Sequence, residues 1–305
     1  MFKMIGIFMI MIIIILLSYS GYFFSEKVIN FKSKTSKEVF DKEVENNRFD
    51  KKVFENLKKE NIEIESNSGY ILNGIFIPGK ENEKRTIIIS HGVTMSKYSS
   101  IKYMNIFFER GWNVLIYDHR SHGETKGKYV TYGYNEKYDL QNVVKWVKKR
   151  IGKDIVLGIH GESMGSAVAI QYAGMEDGAD FYIFDCPYSD FKEQLTYRLK
   201  EEHNLPKYPM IPLVDIVLKI RAGFWLKEIK PLDYVTKIKN PALFIHAKED
   251  KYILSNMSKK LYEAKKGPKK LYLAENGDHA EAYVKNQKRY INEIGEFLKE
   301  NNIQF

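Results

Sequence analysis

Apolar and polar positions fall into three successive rhythms along the chain. From Met4 to Phe24 there is no charged residue, a run of 21 that as a helix spans about 31 Å, close to the hydrocarbon thickness of a bilayer. From residue 25 to 60 acids and bases alternate with few apolar anchors, which predicts a charged, solvated linker or helix. From residue 61 to 305, short runs of nearly continuous apolar character alternate with stretches of helical period. Thr86–Ser90, Asn113–Tyr117, Asp154–His160, Phe181–Asp185, Ala242–His246 and Lys270–Leu273 predict strands of a sheet covered on both faces. Ile62–Ile64 and Tyr70–Ile77 predict an antiparallel lead-in. Between the strands, Ile101, Met104, Phe107 and Phe108, then Val143, Val144 and Val147, and finally Ile291, Ile294, Phe297 and Leu298 each share one helical face. The alternation predicts the α/β class, a mostly parallel central sheet with right-handed crossovers and helices on both faces. About 191–239 the rhythm breaks around Pro206, Pro209 and Pro212. So long an insertion predicts a small helical cap over the carboxyl edge of the sheet, where open α/β folds bind ligands.

Residues 1–24 read as a membrane-entering segment with two fates. Lys3, the apolar stretch through Leu17 and Ser18-Tyr19-Ser20 before Gly21 resemble a secretory signal, whose cleavage would release a secreted protein. The spanning length and the return of apolar character at Tyr22, Phe23 and Phe24 favour an uncleaved single-pass anchor in the cell membrane. Lys27, Lys32, Lys34, Lys37 and Lys42 follow the segment against Lys3 before it, a bias that taken alone places the large domain in the cytoplasm. Because a short first segment obeys this rule weakly, the side of the membrane stays open.

Composition narrows the classes further. With 44% hydrophobic and 14% aromatic residues the chain has the means to bury a core, which excludes disorder. The net charge of +9 rests on 40 Lys and 8 Arg dispersed among 39 acids, the pattern of a solvated surface and not of a nucleic-acid site. Cys186 is the single cysteine, so no intrachain disulfide framework or Cys-rich metal centre is expected.

The candidate chemistry begins at Gly161-Glu162-Ser163-Met164-Gly165, which follows a predicted strand and opens a predicted helix. A serine at such a turn is pushed out of the sheet, and the glycines let neighbouring backbone pass. Its hydroxyl needs a base, and the base an orienting acid. Downstream, Asp250 follows a strand in a carboxyl-edge loop, and His279 precedes the final helix. The order Ser163, Asp250, His279 is a nucleophile–acid–base order. Asp185 also ends a strand and competes with Asp250, and Glu249 is a weaker contender, while Asp278 with Glu281 reads as helix capping. For an oxyanion, Met164 next to the nucleophile and Val93 in the Ser90-His91-Gly92-Val93-Thr94 loop are the expected amide donors. His91 reads as a brace of that loop. His119, His122, His160, His203 and His246 lack metal-binding company, so no metal site is expected.

These residues, with His91-Gly92 and the stretch Tyr117 to Gly123, resemble the α/β-hydrolase superfamily, and within it the serine aminopeptidase and monoacylglycerol-lipase-like branch. Arg120-Ser121-His122-Gly123 departs from that branch's usual Arg-Gly-x-Gly. The resemblance implies a cofactor-free serine hydrolase in which Ser163 attacks an acyl carbonyl, His279 shuttles the proton and Asp250 holds the imidazole. A small-molecule acyl ester is the expected substrate, with no obligate protein partner. A peptidase using the same three residues and a non-catalytic membrane-attached binding protein are the alternatives. The cap aromatics Tyr208 and Phe224 would suit a peptide side chain.

Overall fold

The structure, a computed structural model, describes residues 2–30, 33–152 and 154–305. Lys32, counted above among the flanking charges, lies outside them. The described residues form an eight-stranded sheet: β1 (Glu60–Glu65), β2 (Ile71–Ile77), β3 (Arg85–Ser90), β4 (Asn113–Tyr117), β5 (Val156–Glu162), β6 (Phe181–Asp185), β7 (Ala242–Ala247) and β8 (Lys269–Ala274). Their order is β1-β2-β4-β3-β5-β6-β7-β8. β1 and β2 pair antiparallel, as β2 does with β4, and all the other pairs are parallel.

The continuous apolar runs have the expected cause. In β3, Ile87 and Ile89 enter one core cluster and Ile88 the other, and β4, β6 and β7 divide their residues likewise between the two faces. A strand with no wet face has no polar position to alternate. β5 starts two residues later than predicted because Asp154 is exposed and ion-paired with Lys84. It runs two residues further because its ladder with β6 continues to Glu162 opposite Asp185.

The helices are α1 (Phe2–Ile29), α2 (Ser36–Glu45), α3 (Lys51–Asn56), α4 (Ile101–Phe108), α5 (Glu136–Ile151), α6 (Met164–Glu176), α7 (Phe191–His203), α8 (Lys207–Ala222), α9 (Pro231–Val235), α10 (Asn256–Ala264), α11 (Ala282–Lys285) and α12 (Gln287–Glu300). The insertion between β6 and β7 is helical, but only α7 and α8 lie apart as a cap. α9 belongs to the sheet-covering layer, so close to α6 that a Cβ at Gly174 would stand 2.3 Å from the Tyr234 carbonyl oxygen.

The described residues of 25–60 include helices, as the charge pattern allowed, but they pack onto the domain and do not stand free in solvent. α2 carries a complete capping box from Thr35 and Glu38, and Val39, Glu43 and Phe54 are buried. Phe40 packs edge-on against Phe49 and Tyr98, at 5.4 and 5.3 Å between centroids. The Lys34 amide donates to the Thr94 carbonyl at 3.2 Å, tying this segment to the loop after β3. The end of α1 is held too. Arg221 of α8 pairs with Glu26 and donates to Ser25 Oγ, and the Tyr132 hydroxyl donates to the Val28 carbonyl at 2.8 Å.

β3 sits between β4 and β5, so the chain order reverses direction at β3. The loops after β3 and β5 therefore diverge around a crevice at the carboxyl edge, the place where this architecture admits a ligand.

Candidate active site

β5 runs directly into Ser163, and α6 begins one residue later. Ser163 has φ 55° and ψ −117°, a conformation that an L-residue adopts only when its surroundings enforce it. The enforcement is close packing. A Cβ at Gly161 would stand 2.5 Å from Ser166 Cα, and one at Gly165 2.2 Å from the Ser90 carbonyl oxygen. Ser163 occupies the N-cap of α6 but makes no capping hydrogen bond. Its Oγ instead lies 2.8 Å from His279 Nε2.

His279 stands in the loop after β8, where Asp278 Oδ1 accepts from its backbone amide and from that of Lys251. Its Nδ1 is 2.7 Å from Asp250 Oδ2. Asp250, buried after β7, accepts the Tyr252 and Ile253 amides on Oδ1 at 2.8 and 2.9 Å. A carboxylate can only accept, so His279 carries its proton on Nδ1 and presents the Nε2 lone pair to the serine hydroxyl. Burial opposes the charge on Asp250. Hydrogen bonds from His246 and His279 outweigh that burial and hold its carboxyl well below the usual carboxylate range.

The other acids lie elsewhere. Asp185 accepts from the Tyr290 and Tyr103 hydroxyls at 3.0 and 3.2 Å, and burial beside Glu162 pushes it up to about 6. Glu249 is exposed. Asp278 receives Lys251 and His279 amides, while its own amide donates to Glu281. Val93 and Met164 both border a small cavity of about 50 Å³ at Ser163. As the first residue of α6, Met164 has an amide with no partner inside the helix. Gly92 brings the β3 loop so close that its Cβ would meet Ser163 Cβ at 3.5 Å.

Residues 81–221 match the family described as serine aminopeptidase, S33. The Bacillus subtilis protein YqkD is 46% identical over 280 residues, covering 91% of this chain and 92% of its own. The chain belongs to the S33 branch of the α/β-hydrolases. Another relative of this hydrolase is the lysophosphatidylserine lipase ABHD12 of Xenopus tropicalis, 24% identical over 53% of this chain and 41% of its own. The Pyrococcus furiosus esterase Pf2001 shares the fold, with a TM-score of 0.69 at 24% identity over 90% of this chain and 97% of that one.

The hydrolase's histidines divide into braces and a second partner of the acid. His91, pushed down to about 3 by burial, accepts the His119 amide on Nε2 and donates from Nδ1 to the Gly92 carbonyl at 2.7 Å. His122, next to the family-divergent Ser121, accepts the Thr94 amide at 3.1 Å and so supports the same loop. His246 is the residue that sequence reasoning passed over. Its Nε2 faces both Asp250 Oδ2, at 3.0 Å, and the Ile253 carbonyl, at 2.8 Å, so it bears the proton and fixes the acid. Its position at the end of β7, four residues before Asp250, was the available signal.

A larger cleft of about 700 Å³ opens over Ser163 and His279. Lys34, Lys42, Glu43 and Arg48 from the N-terminal segment form one side of it, together with the buried pair Lys102–Glu162. Glu162 also accepts from the Tyr103 hydroxyl at 2.5 Å. Burial pushes the Glu43 carboxyl up, against the pull of Lys102 and Arg48. Its Oε2 has no hydrogen-bond partner among the described residues. Tyr208 is exposed and Phe224 fully buried against Tyr134, and neither borders this cleft. Cys186, Asp250 and His279 present ligand-type atoms within 4.8 Å of one another. Burial keeps the Cys186 thiol protonated, and the other two already bond each other, so this donor set suits a metal poorly.

Proposed function

We propose that this hydrolase is a membrane-anchored serine esterase acting through an acyl-enzyme. The observation that carries the reading is the continuous hydrogen-bond chain from Ser163 Oγ through His279 to Asp250, ending at a serine of positive φ. As Oγ attacks the ester carbonyl carbon, His279 Nε2 takes its proton, and the carbonyl electron pair moves to oxygen facing the Val93 and Met164 amides. Collapse expels the alcohol, which leaves with the proton from His279. Water then attacks the acyl-enzyme with His279 again as base, releasing the acid and restoring Ser163. Asp250 stays ionised throughout and stabilises the imidazolium.

The anchor reading rests on α1, a 28-residue helix whose most apolar stretch has a mean hydropathy of 2.4 and no buried residue. The helix continues without a break across Ser20 and Gly21, where a Cβ on Gly21 would already stand 3.2 Å from Leu213 Cβ. A cleavage site held in helix against the cap supports retention over secretion. ABHD12, named as a lysophosphatidylserine lipase, supports an acyl ester over a peptide as substrate. One observation favours the aminopeptidase alternative: Glu43, buried in the cleft with a free oxygen, could receive a substrate ammonium.

The test uses the full chain in detergent. A fluorophosphonate is expected to label Ser163, and Ser163→Ala to abolish both labelling and p-nitrophenyl ester turnover. Wild-type protein that is folded yet neither labels nor hydrolyses any ester would overturn the reading. Faster turnover of aminoacyl-naphthylamides than of esters would select the aminopeptidase.

A further inference from the structure

The end of α1 and the cap border a third cavity, of about 150 Å³. Phe24 and Val28 of α1 face Leu195 and Leu199 of α7 and Ile211 and Val214 of α8 across it. It shares Tyr132, Leu195, Arg198 and Tyr252 with the small cavity that contains Ser163. Tyr252 in turn lies against the His279 ring at 4.9 Å, and the Arg198 guanidinium covers Tyr252 at 4.4 Å. The apolar cavity is thus one side-chain layer from the nucleophile, and one of its walls is the last turn of the helix read above as a membrane span.

Resting on that reading, we propose that this cavity is the acyl-chain site, filled by a chain that enters from the bilayer between α1 and the cap. Three observations fix the occupant. Eight of its twelve lining residues are aliphatic or aromatic, which favours a hydrocarbon over a peptide or sugar. The polar lining groups are Lys27, Glu202 and His203, exposed beside the end of α1 where headgroups would lie, and the half-buried Arg198 on the wall shared with the Ser163 cavity. On the other side of Ser163, the cleft bearing Lys34, Lys42, Arg48 and Lys251 is polar and open, and suits the headgroup or leaving alcohol. The ester carbonyl would then sit at Ser163 with its chain toward α1 and its polar part toward α2. The ligand class is an amphiphilic acyl ester resident in the membrane.

The decisive experiment uses wild-type full chain in phosphatidylcholine nanodiscs and a fluorophosphonate carrying a dodecyl chain with a terminal diazirine. After labelling and photolysis, cross-links are expected on α1, α7 or α8 at the cavity residues. Cross-links confined to residues 33–48 would overturn the proposal while leaving the esterase intact, whereas absence of labelling would remove both. A second arm compares Leu199→Trp with wild type on p-nitrophenyl acetate and dodecanoate. The dodecanoate-to-acetate ratio of kcat/KM is expected to fall at least about tenfold. An unchanged ratio in a variant that still labels would refute the site. Should Leu199→Trp not fold, the cross-link map alone decides.

Discussion

Replacing Asp250 by Asn tests the proposed relay in a way the geometry makes quantitative. Asp250 Oδ1 accepts two backbone amides, from Tyr252 and Ile253, while Oδ2 faces the N–H groups of His279 and His246. In the variant the amide oxygen is held by the two backbone donors, so the side-chain NH2 turns toward the imidazoles. His279 must then accept on Nδ1 and carry its proton on Nε2, pointing a hydrogen at Ser163 where a lone pair is needed. The same inversion of tautomer in a serine hydrolase relay costs about 10⁴ in kcat, about 5.5 kcal/mol at the transition state. Asp185→Asn is the control, because an amide oxygen can still accept from Tyr290 and Tyr103. Its expected loss is below about tenfold. The assay is p-nitrophenyl acetate turnover by both variants in detergent, with thermal melting to confirm folding. A larger loss at Asp185, or an Asp250→Asn variant within about tenfold of wild type, would refute the assignment.

Further outcomes follow from single contacts. His246→Phe removes a charge-assisted donor from Asp250 Oδ2 and is expected to lower kcat by about 10–100-fold with little change in KM, whereas a matched rise in KM would show a different role. Gly165→Ala drives a Cβ into the Ser90 carbonyl, 2.2 Å away, and is expected to destabilise by at least about 2 kcal/mol and to lose fluorophosphonate labelling. A wild-type melting profile would contradict the packing. Asp139, pushed up to about 7 mainly by burial, binds a proton in the folded state that it has lost in the unfolded chain above the ordinary value of 3.8. Stability should therefore fall as pH rises between about 4 and about 7 and level off above, since the unfolded state binds fewer protons there. Asp139→Asn should flatten that slope in urea titrations at several pH values, and an unaltered slope would assign it to another group.

The legible parts of the sequence are those governed by local constraint. Strands buried on both faces must be apolar at every position, so β3, β4, β6 and β7 announce themselves. Ser163 is legible because the flanking glycines answer contacts within a few residues and one neighbouring strand. The acid is harder to read. Asp185 and Asp250 both follow strands, and only the three-dimensional path of the β8 loop brings His279 to Asp250. Lys102 and Glu43 were not legible because packing between distant elements brings them to the cleft, and His246 was not because the turn that folds Asp250 back onto it, four residues on, is set by the tertiary path after β7. Some signal existed, since a glutamate at position 162 inside a buried elbow requires a cation, and Lys102 supplies it. Phe40, Phe49 and Phe54 in a stretch otherwise rich in charge likewise marked a segment that packs and does not float.

That packed segment changes what the proposed membrane helix would do. A helix followed by a free linker would only confine the domain near the bilayer, leaving its cleft to point anywhere. Here the end of α1 is bonded to α8 by Arg221, and to the loop before α5 by the Tyr132 hydroxyl and the Val130 amide. A few residues later Lys34 bonds the Thr94 carbonyl in the β3 loop, one residue from Val93. α2 then supplies Lys42 and Glu43 to the cleft itself. The cap, the proposed oxyanion loop and the polar side of the cleft are thus all fastened to the stretch that follows α1, the proposed membrane span. Each contact alone is modest, about 1 kcal/mol for a typical hydrogen bond, but together they fix several directions at once, and two tethers on separate elements remove the rotation one would leave. Orientation toward the bilayer and construction of the cleft are on this account a single structural property. A hydrolase whose substrate must be taken from a lipid layer needs that property more than one whose substrate diffuses to it from water.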